Sequence, residues 1–434
     1  MTAVGEPDLA ELLPADVRRR LSPTAALLLL GLASLIPYAY ALRQSNLRLQ
    51  HAELAVSVLA ALLFYIPAVI LVVRDDRPTS LRRLLLIVGF AIVFRLIMVF
   101  TQPVLSDDMY RYVWDGRVQA QGLNPYALPP GAPELSTLRD DAIWPLINRK
   151  WAVTIYPAAT QIAFAALWRI WPDSVRWFQI AMTGGTLVAG ILLMALAKAL
   201  GRPAGRALIF LWSPAVVFET AHSAHVDGLV LIFIVAAWLA RAKGRDGWTG
   251  IWLGVATAMK LLPVMLAPAL WRLRDEGGRR RPAWAMPLAL LAVFACAYVP
   301  YSSLGKGVIG YLPIYFTERG SASPHALLGQ ISPGLRVPDG PLGDLALILA
   351  LAAISLFFVL RPAHSGEQAI RRCIWPLVAF ALLTQYLLPW YLLPIVPLCA
   401  LFVRAGWMGF KPDGWAVLLL ITSASTLGYA FLPV

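Results

Sequence analysis

The stretch WTGIWLGVATAMKLLPVMLAPALW, residues 248–271, decides how this chain is read. Arg241, Lys243 and Arg245 precede it, and Arg272, Arg274, Arg279, Arg280 and Arg281 follow. Lys and Arg mark the cytoplasmic ends of membrane helices, so both flanks belong on one side and a single crossing is excluded. A full helical crossing takes about 20 apolar residues, so the stretch is also too short for two. The expectation is a pair of half-helices meeting at Lys260-Leu261-Leu262-Pro263, where Pro263 removes a backbone donor and breaks the ladder. Segment 373–404 reads the same way, turning on the outer side around Pro389-Trp390-Tyr391. Broken backbone inside a bilayer needs protein or a water-filled cavity to satisfy it, so both breaks point to a central cavity opening outward.

Working outward, apolar runs near 24–42, 53–73, 84–102, 176–198, 206–222, 226–241, 283–301, 341–361 and 415–431 are each about long enough to cross. With the two broken segments this gives an all-α polytopic integral membrane protein of about 13 transmembrane helices in a single membrane domain, 1–434. Composition agrees: 14% of the 434 residues are charged and 59% apolar, too little polar surface to cover a soluble globule of this length. The net charge of +13 reports orientation and implies no nucleic-acid partner. If the N-terminus is inside, 23 of the 37 Lys and Arg fall in cytoplasmic segments, which favours N-in/C-out. A cytoplasmic surface helix is expected over 1–23, since GEPDLAELLPADVRRRL does not fit a cleaved signal peptide. The large outer segments are then 103–175 and 302–340, and the apolar run from Thr154 to Trp171 reads as an interfacial helix. No repeat or low-complexity tract stands out. Cys296, Cys373 and Cys399 lack metal or redox spacing and read as filler.

Chemistry concentrates in 103–150, which holds Ser106-Asp107-Asp108-Met109-Tyr110-Arg111-Tyr112 and Gly122-Leu123-Asn124-Pro125-Tyr126. A helix starting at Asp107 puts Asp108, Tyr112, Asp115 and Gln119 on one face. Either aspartate also suits a helix cap, and cap and catalyst are compatible roles. Ionisable groups in apolar context are costly and usually functional. Glu219, His222, His225 and Asp227 crowd an outer turn whose spacing matches no common metal set, so a hydrogen-bonded turn or a substrate site is expected. Lys260, at the apex of the broken hairpin, reads either as snorkelling or as a lone ammonium for an anion. Arg95, in Ile92-Val93-Phe94-Arg95-Leu96-Ile97, is a weaker case of the same kind, and Glu318-Arg319 is either solvated or an anion contact. Serine-nucleophile, phosphate-loop and nucleotide fingerprints are absent, so an outward-facing enzyme needs a lipid-carried donor.

These motifs, with Ile155-Tyr156-Pro157-Ala158, His225-Val226-Asp227, Met259-Lys260-Leu261-Leu262-Pro263 and Pro389-Trp390-Tyr391-Leu392-Leu393-Pro394, resemble the GT-C superfamily of polyprenol-phosphate-sugar-dependent glycosyltransferases over roughly 100–400. The likeness is nearest to bacterial α-mannosyltransferases that build lipomannan and phosphatidylinositol mannosides. The resemblance implies a multi-pass protein of the inner (plasma) membrane, with its active site on the periplasmic or extracellular side among membrane lipids. The reaction it implies is an inverting transfer of a sugar, mannose first, from a polyprenyl-phosphate donor to a glycolipid, glycan or protein acceptor, without bound metal or other cofactor. The aspartate before x-Tyr-x-Tyr, Asp108, matches the family's general base and is chosen over Asp107. Lys260, Arg319 and Arg95 are the candidate donor-phosphate ligands, and Tyr112, Asp115, His225, Asp227 and Tyr391 the candidate substrate contacts. The rivals are a transporter or lipid flippase, which predicts internal repeats, and a ligase moving an oligosaccharide from a lipid diphosphate.

Overall fold

In the computed structural model of the protein, residues 22–274, 278–315, 317–318, 340–404 and 414–430 are described. The expected surface helix over 1–23 lies almost wholly outside them, as do Arg319 and most of the second outer segment. The regular secondary structure of the described residues is helical. Its α-helices of ten residues or more are α1 (Pro23–Leu42), α2 (His51–Arg74), α3 (Leu81–Val99), α4 (Asp108–Ala120), α5 (Ala158–Ile170), α6 (Val175–Ala199), α7 (Asp227–Ala242), α8 (Asp246–Met259), α9 (Ala285–Tyr298), α10 (Pro341–Leu360), α11 (Ile374–Leu383) and α12 (Gly414–Ser423).

Among the described residues, α1, α2, α6, α9 with its 3-10 extension to Ile309, and α10 are long and apolar enough to cross a bilayer. Their outer faces show why water is the wrong solvent: Ile36, Leu63, Leu288 and Leu342 are each more than 60% exposed. Apolar side chains exposed in such stripes belong against lipid, and the chain is a helical membrane protein. The run 206–222, expected as one span, is instead a chain of short turns: Ala204–Ala207, Leu208–Leu211, Pro214–Val217 and a π-helical turn Phe218–His222. Pro214 supplies no donor to Phe210, and the break is tolerated because Phe210, Trp212 and Phe218 are fully buried inside the bundle. The run 415–431 is likewise α12 followed by a 3-10 turn, Ser425–Ala430.

The stretch 248–271 folds back on itself. α8 stops at Met259, Lys260 is extended at φ −150° and ψ 131°, and the return leg is a 3-10 turn, Leu262–Leu266, followed by Ala267–Leu270. The two ends meet: Asp246, at the start of α8, accepts from Arg272 Nε at 2.9 Å, and Arg241 Nε donates to the Leu270 carbonyl at 2.9 Å. Segment 373–404 breaks similarly, with α11, a 3-10 turn at Pro389–Leu392 and a helix at Ile395–Phe402. α5 is 13 residues, about 20 Å at 1.5 Å per residue, and lies against α4 and α8. Cys373 and Cys399 are buried filler, whereas Cys296 is exposed on α9.

Two close approaches set the site. A Cβ on Gly116 would stand 2.8 Å from the Phe164 carbonyl oxygen, so α4 presses on α5 only because the residue after Asp115 has no side chain. A Cβ on Gly228 would stand 2.3 Å from the Met182 carbonyl oxygen, which pins the start of α7, and Asp227 with it, against α6.

Candidate active site

Helix α4 begins beneath a cavity of about 910 Å³, bounded on one side by the broken tips at Lys260 and Trp390 and on another by α10. Its chemistry is asymmetric. Asp107, Asn148, Arg149 and Lys260 gather round Asp108, whereas α10 lends Leu347, Ile348 and Leu351 beside Asp344, and Val264, Met265 and Phe380 add further hydrocarbon. A polar pocket continuous with an apolar groove suits a ligand with a charged head and a hydrocarbon tail.

Neither aspartate caps α4 as expected. The N-cap position is Asp107, whose side chain accepts no backbone donor, and the Asp108 N–H donates instead to Ser106 Oγ at 3.3 Å. Both carboxylates are drawn to one amide: Asn148 Nδ2 donates to Asp107 Oδ1 at 2.9 Å and to Asp108 Oδ1 at 2.8 Å. Burial raises the Asp108 carboxyl to about 6, and the neighbouring Asp107 charge adds to the rise against the opposing pull of Arg149, Asn148 and Lys260. Asp108 Oδ2 faces His225 Nδ1 at 4.0 Å, and its side chain keeps 18% exposure. It is thus a carboxylate with one oxygen held and one oxygen free to take a proton near neutral pH.

Lys260 is not the lone ammonium expected. It donates to both oxygens of Asp227, at 2.7 and 2.8 Å, and sits 4.5 Å above the Tyr391 ring. The helix break that leaves Lys260 extended delivers it there, and Thr160 Oγ1 fixes the break by donating to the Met259 carbonyl at 2.6 Å. Tyr391 is hydroxyl-to-hydroxyl with Tyr315. Tyr112 faces the cavity one turn after Asp108, its ring stacked on Phe164 at 4.5 Å and edge-on to Tyr156 at 5.0 Å.

The structure therefore brings Asp107, Asp108, Tyr112, Asp227, Lys260 and Tyr391 together and leaves three candidates elsewhere. Asp115 is 1% exposed and saturated by Arg111 Nε at 2.7 Å and Gln161 Nε2 at 2.8 Å. Arg95 is fully buried away from the cavity, donating to Thr186 Oγ1, Ala91 O and Leu211 O at 3.0, 3.1 and 2.7 Å, so it ties α3 to its neighbours. His225 is also fully buried and does not line the cavity; it stands behind Asp108, stacked on Trp390 with centroids 3.7 Å apart. Among the described residues no group of three or more His, Cys, Asp or Glu is placed to hold a metal. Sequence reasoning missed Asn148 and Arg149, which sit in an irregular loop without periodicity or motif. Arg149 adopts φ +44° and clamps Glu318 at 3.0 and 2.5 Å, an ion pair across 169 residues that no local pattern announces.

Residues 24–273, which include the α4 aspartates, Asp227 and Lys260, match the family described as alpha-(1->6)-mannopyranosyltransferase, N-terminal domain. The chain belongs to this family. It is also 25% identical over 372 residues to alpha-(1->6)-mannopyranosyltransferase A of Mycobacterium tuberculosis (strain ATCC 25618 / H37Rv), in an alignment taking in 73% of this chain and 68% of that protein. The protein is accordingly a glycosyltransferase that moves mannose from a sugar donor to a glycan acceptor, and the resemblance read from its motifs holds.

Proposed function

We propose that the protein transfers mannose from a polyprenyl phosphate to a hydroxyl of a mannan-type acceptor, forming an α-(1→6) linkage by a single inverting displacement. The observation that carries this reading is Asp108, a carboxylate raised to about 6 and half-satisfied in a cavity whose lining is otherwise rich in hydrocarbon. The groove along α10 suits the prenyl chain, whose apolar length is excluded from water. The phosphate then lies toward Lys260 and Arg149, and the sugar between them and Asp108.

The acceptor oxygen attacks the anomeric carbon as the bond to the phosphate oxygen breaks, the leaving phosphate keeping the electron pair. Asp108 takes the acceptor's proton, a role commonly worth about 10² to 10⁴ in rate. Lys260 and Arg149 face the phosphate as its charge grows; because each already holds a carboxylate, the incoming phosphate shares them with Asp227 and Glu318. Attack opposite the leaving group turns a β-linked donor into an α-linked product. The segregation of Lys and Arg supports an N-in/C-out arrangement with 103–175 outside, where nucleotide sugars are absent and a lipid-borne donor is required.

The test is a donor screen with purified protein. Polyprenyl-phosphate-mannose is expected to support transfer, with glucose, galactose and arabinose analogues much poorer and GDP-mannose inactive; turnover with GDP-mannose at the lipid donor's rate sinks the reading.

A further inference from the structure

Behind Asp108 lies a buried assembly that the reaction above does not use and that meets the cavity through Tyr429 and the Trp390 ring. Glu219 is fully buried and accepts from Thr426 Oγ1 and from Tyr429 Oη, both at 2.9 Å. His225 Nε2 stands 3.4 Å from Glu219 Oε2 and 3.3 Å from Tyr429 Oη. With Glu219 ionised and the Tyr429 hydroxyl donating to it, both of these oxygens offer acceptors to Nε2, the tautomer on which the role of Nδ1 rests. That leaves a bare lone pair on Nδ1, which has no hydrogen-bond partner, is fully buried and faces Asp108 Oδ2 at 4.0 Å.

The backbone is built to hold this ring. Phe218–His222 is a π-helical turn, the rarest helical form and one frequent at functional sites. Ala224, immediately before His225, adopts φ +55°, a left-handed conformation that strains a non-glycine residue and persists only where the surroundings over-determine it. The His225 N–H closes onto the Glu219 carbonyl at 3.0 Å, and the ring lies flat on Trp390 with 25° between planes. Strain, stack and hydrogen bonds all aim one unprotonated nitrogen at one carboxylate oxygen.

A lone pair facing an ionised carboxylate gains nothing; the same lone pair facing a protonated carboxyl accepts a hydrogen bond. We propose that His225 is the positioning residue for the base: once Asp108 Oδ2 has taken the acceptor's proton, the new O–H donates to His225 Nδ1, with Glu219 and Tyr429 holding Nε2–H behind it. This rests on the reading of Asp108 as the base. The bookkeeping of atoms is complete within it. The acceptor O–H bond breaks, the proton goes to Oδ2 and is held in an O–H···Nδ1 hydrogen bond, the electron pair of the broken C–O bond leaves with the phosphate, and the proton later exits through the cavity. Closing 4.0 Å to hydrogen-bond length takes about 1 Å of side-chain movement, ordinary between an empty and a reacting site. The assignment replaces a substrate-contact role for His225 with one exerted through Asp108.

Charged and titratable groups around Asp108 and the ring come from every side: Asp107 beside Asp108 at the start of α4, Arg149 from the outer loop, Glu219 and His222 on the π turn, Asp227 on α7, Lys260 at the end of α8 and Tyr429 on the C-terminal 3-10 turn. The experiment therefore compares the acid limb of the kcat/KM profile in otherwise identical proteins, for wild type, Asp108→Asn, His225→Gln and Glu219→Gln, each checked for folding by gel filtration in detergent. His225→Gln keeps a donor toward Glu219 at the place of Nε2 and leaves no acceptor at the place of Nδ1, because both of its amide atoms lie one bond further out. Protonated Asp108 then loses its partner, so the acid limb moves to lower pH, by about half a unit or more. kcat falls about tenfold or more, and KM for polyprenyl-phosphate-mannose stays within about twofold. An unmoved acid limb in folded His225→Gln, with Asp108→Asn inactive, overturns the role of His225 and leaves Asp108 as the base. Wild-type turnover by Asp108→Asn overturns both. Should His225→Gln fail to fold, Glu219→Gln, which keeps an acceptor for only one of Tyr429 and Thr426 and so weakens the grip on Nε2–H, reads the same shift in smaller measure, and no shift there overturns the proposal.

Discussion

Two aspartates on helix α4, two turns apart, show how differently one residue type is used at its start and in its middle. Asp115 gives one oxygen to Arg111 and the other to Gln161 and is sealed at 1% exposure. Asp108 gives one oxygen to Asn148 and leaves the other 4.0 Å from a histidine nitrogen, at the wall of the cavity. Both lie on the face that helical spacing predicts. On the proposed reading, what separates scaffold from chemistry is whether the carboxylate's hydrogen-bonding capacity has been filled by the protein, and α4 holds one of each.

The largest effect expected from breaking this contrast is at Asp108. Asp108→Asn should lower kcat by about 10² to 10⁴ while folded yield and donor affinity stay near wild type; membranes assayed for mannose transfer from polyprenyl-phosphate-mannose read this directly. Asp115→Ala should do the reverse. It strands the buried Arg111 guanidinium at a cost of about 3–5 kcal/mol, so thermal stability and folded yield collapse, and whatever folds should bind donor with wild-type KM. Lys260→Ala should raise donor KM about tenfold, the order expected for one phosphate contact, and lower kcat besides; donor titration in detergent checks it. The smallest effect is at Asn148. Its amide favours the ionised form of Asp108, so Asn148→Ala should move the acid limb of kcat/KM to higher pH, opposite to the shift expected for His225→Gln.

How much of this the sequence carried depends on how local the cause is. The fold-back at 248–271 was legible because positive charge at both ends and Pro263 in the middle are local facts. So was the Asp108 motif, and Tyr112 one turn on. The collapse of 206–222 into short turns was not legible, because an apolar run looks the same whether it spans lipid or is buried by its neighbours, and only the burial of Trp212 and Phe218 distinguishes the two. The partners of Lys260, Arg149 and His225 come from 33, 169 and 204 residues away, which spacing cannot report. Arg95 failed as a candidate for the same reason: an arginine in an apolar helix signals a buried charge, but whether carbonyls or a ligand receive it depends on what packs there.

The most direct test of the account is the pH dependence of the chemical step, measured by rapid quench of a single turnover from pre-bound polyprenyl-phosphate-mannose. A general base must be ionised, and the Asp108 carboxyl is raised to about 6. The wild-type step should therefore fall as pH drops through that value, and Asp108→Asn should be slow and independent of pH across it. An Asp108→Asn protein whose chemical step keeps the wild-type rate and the same acid limb would contradict the assignment of Asp108 as the base.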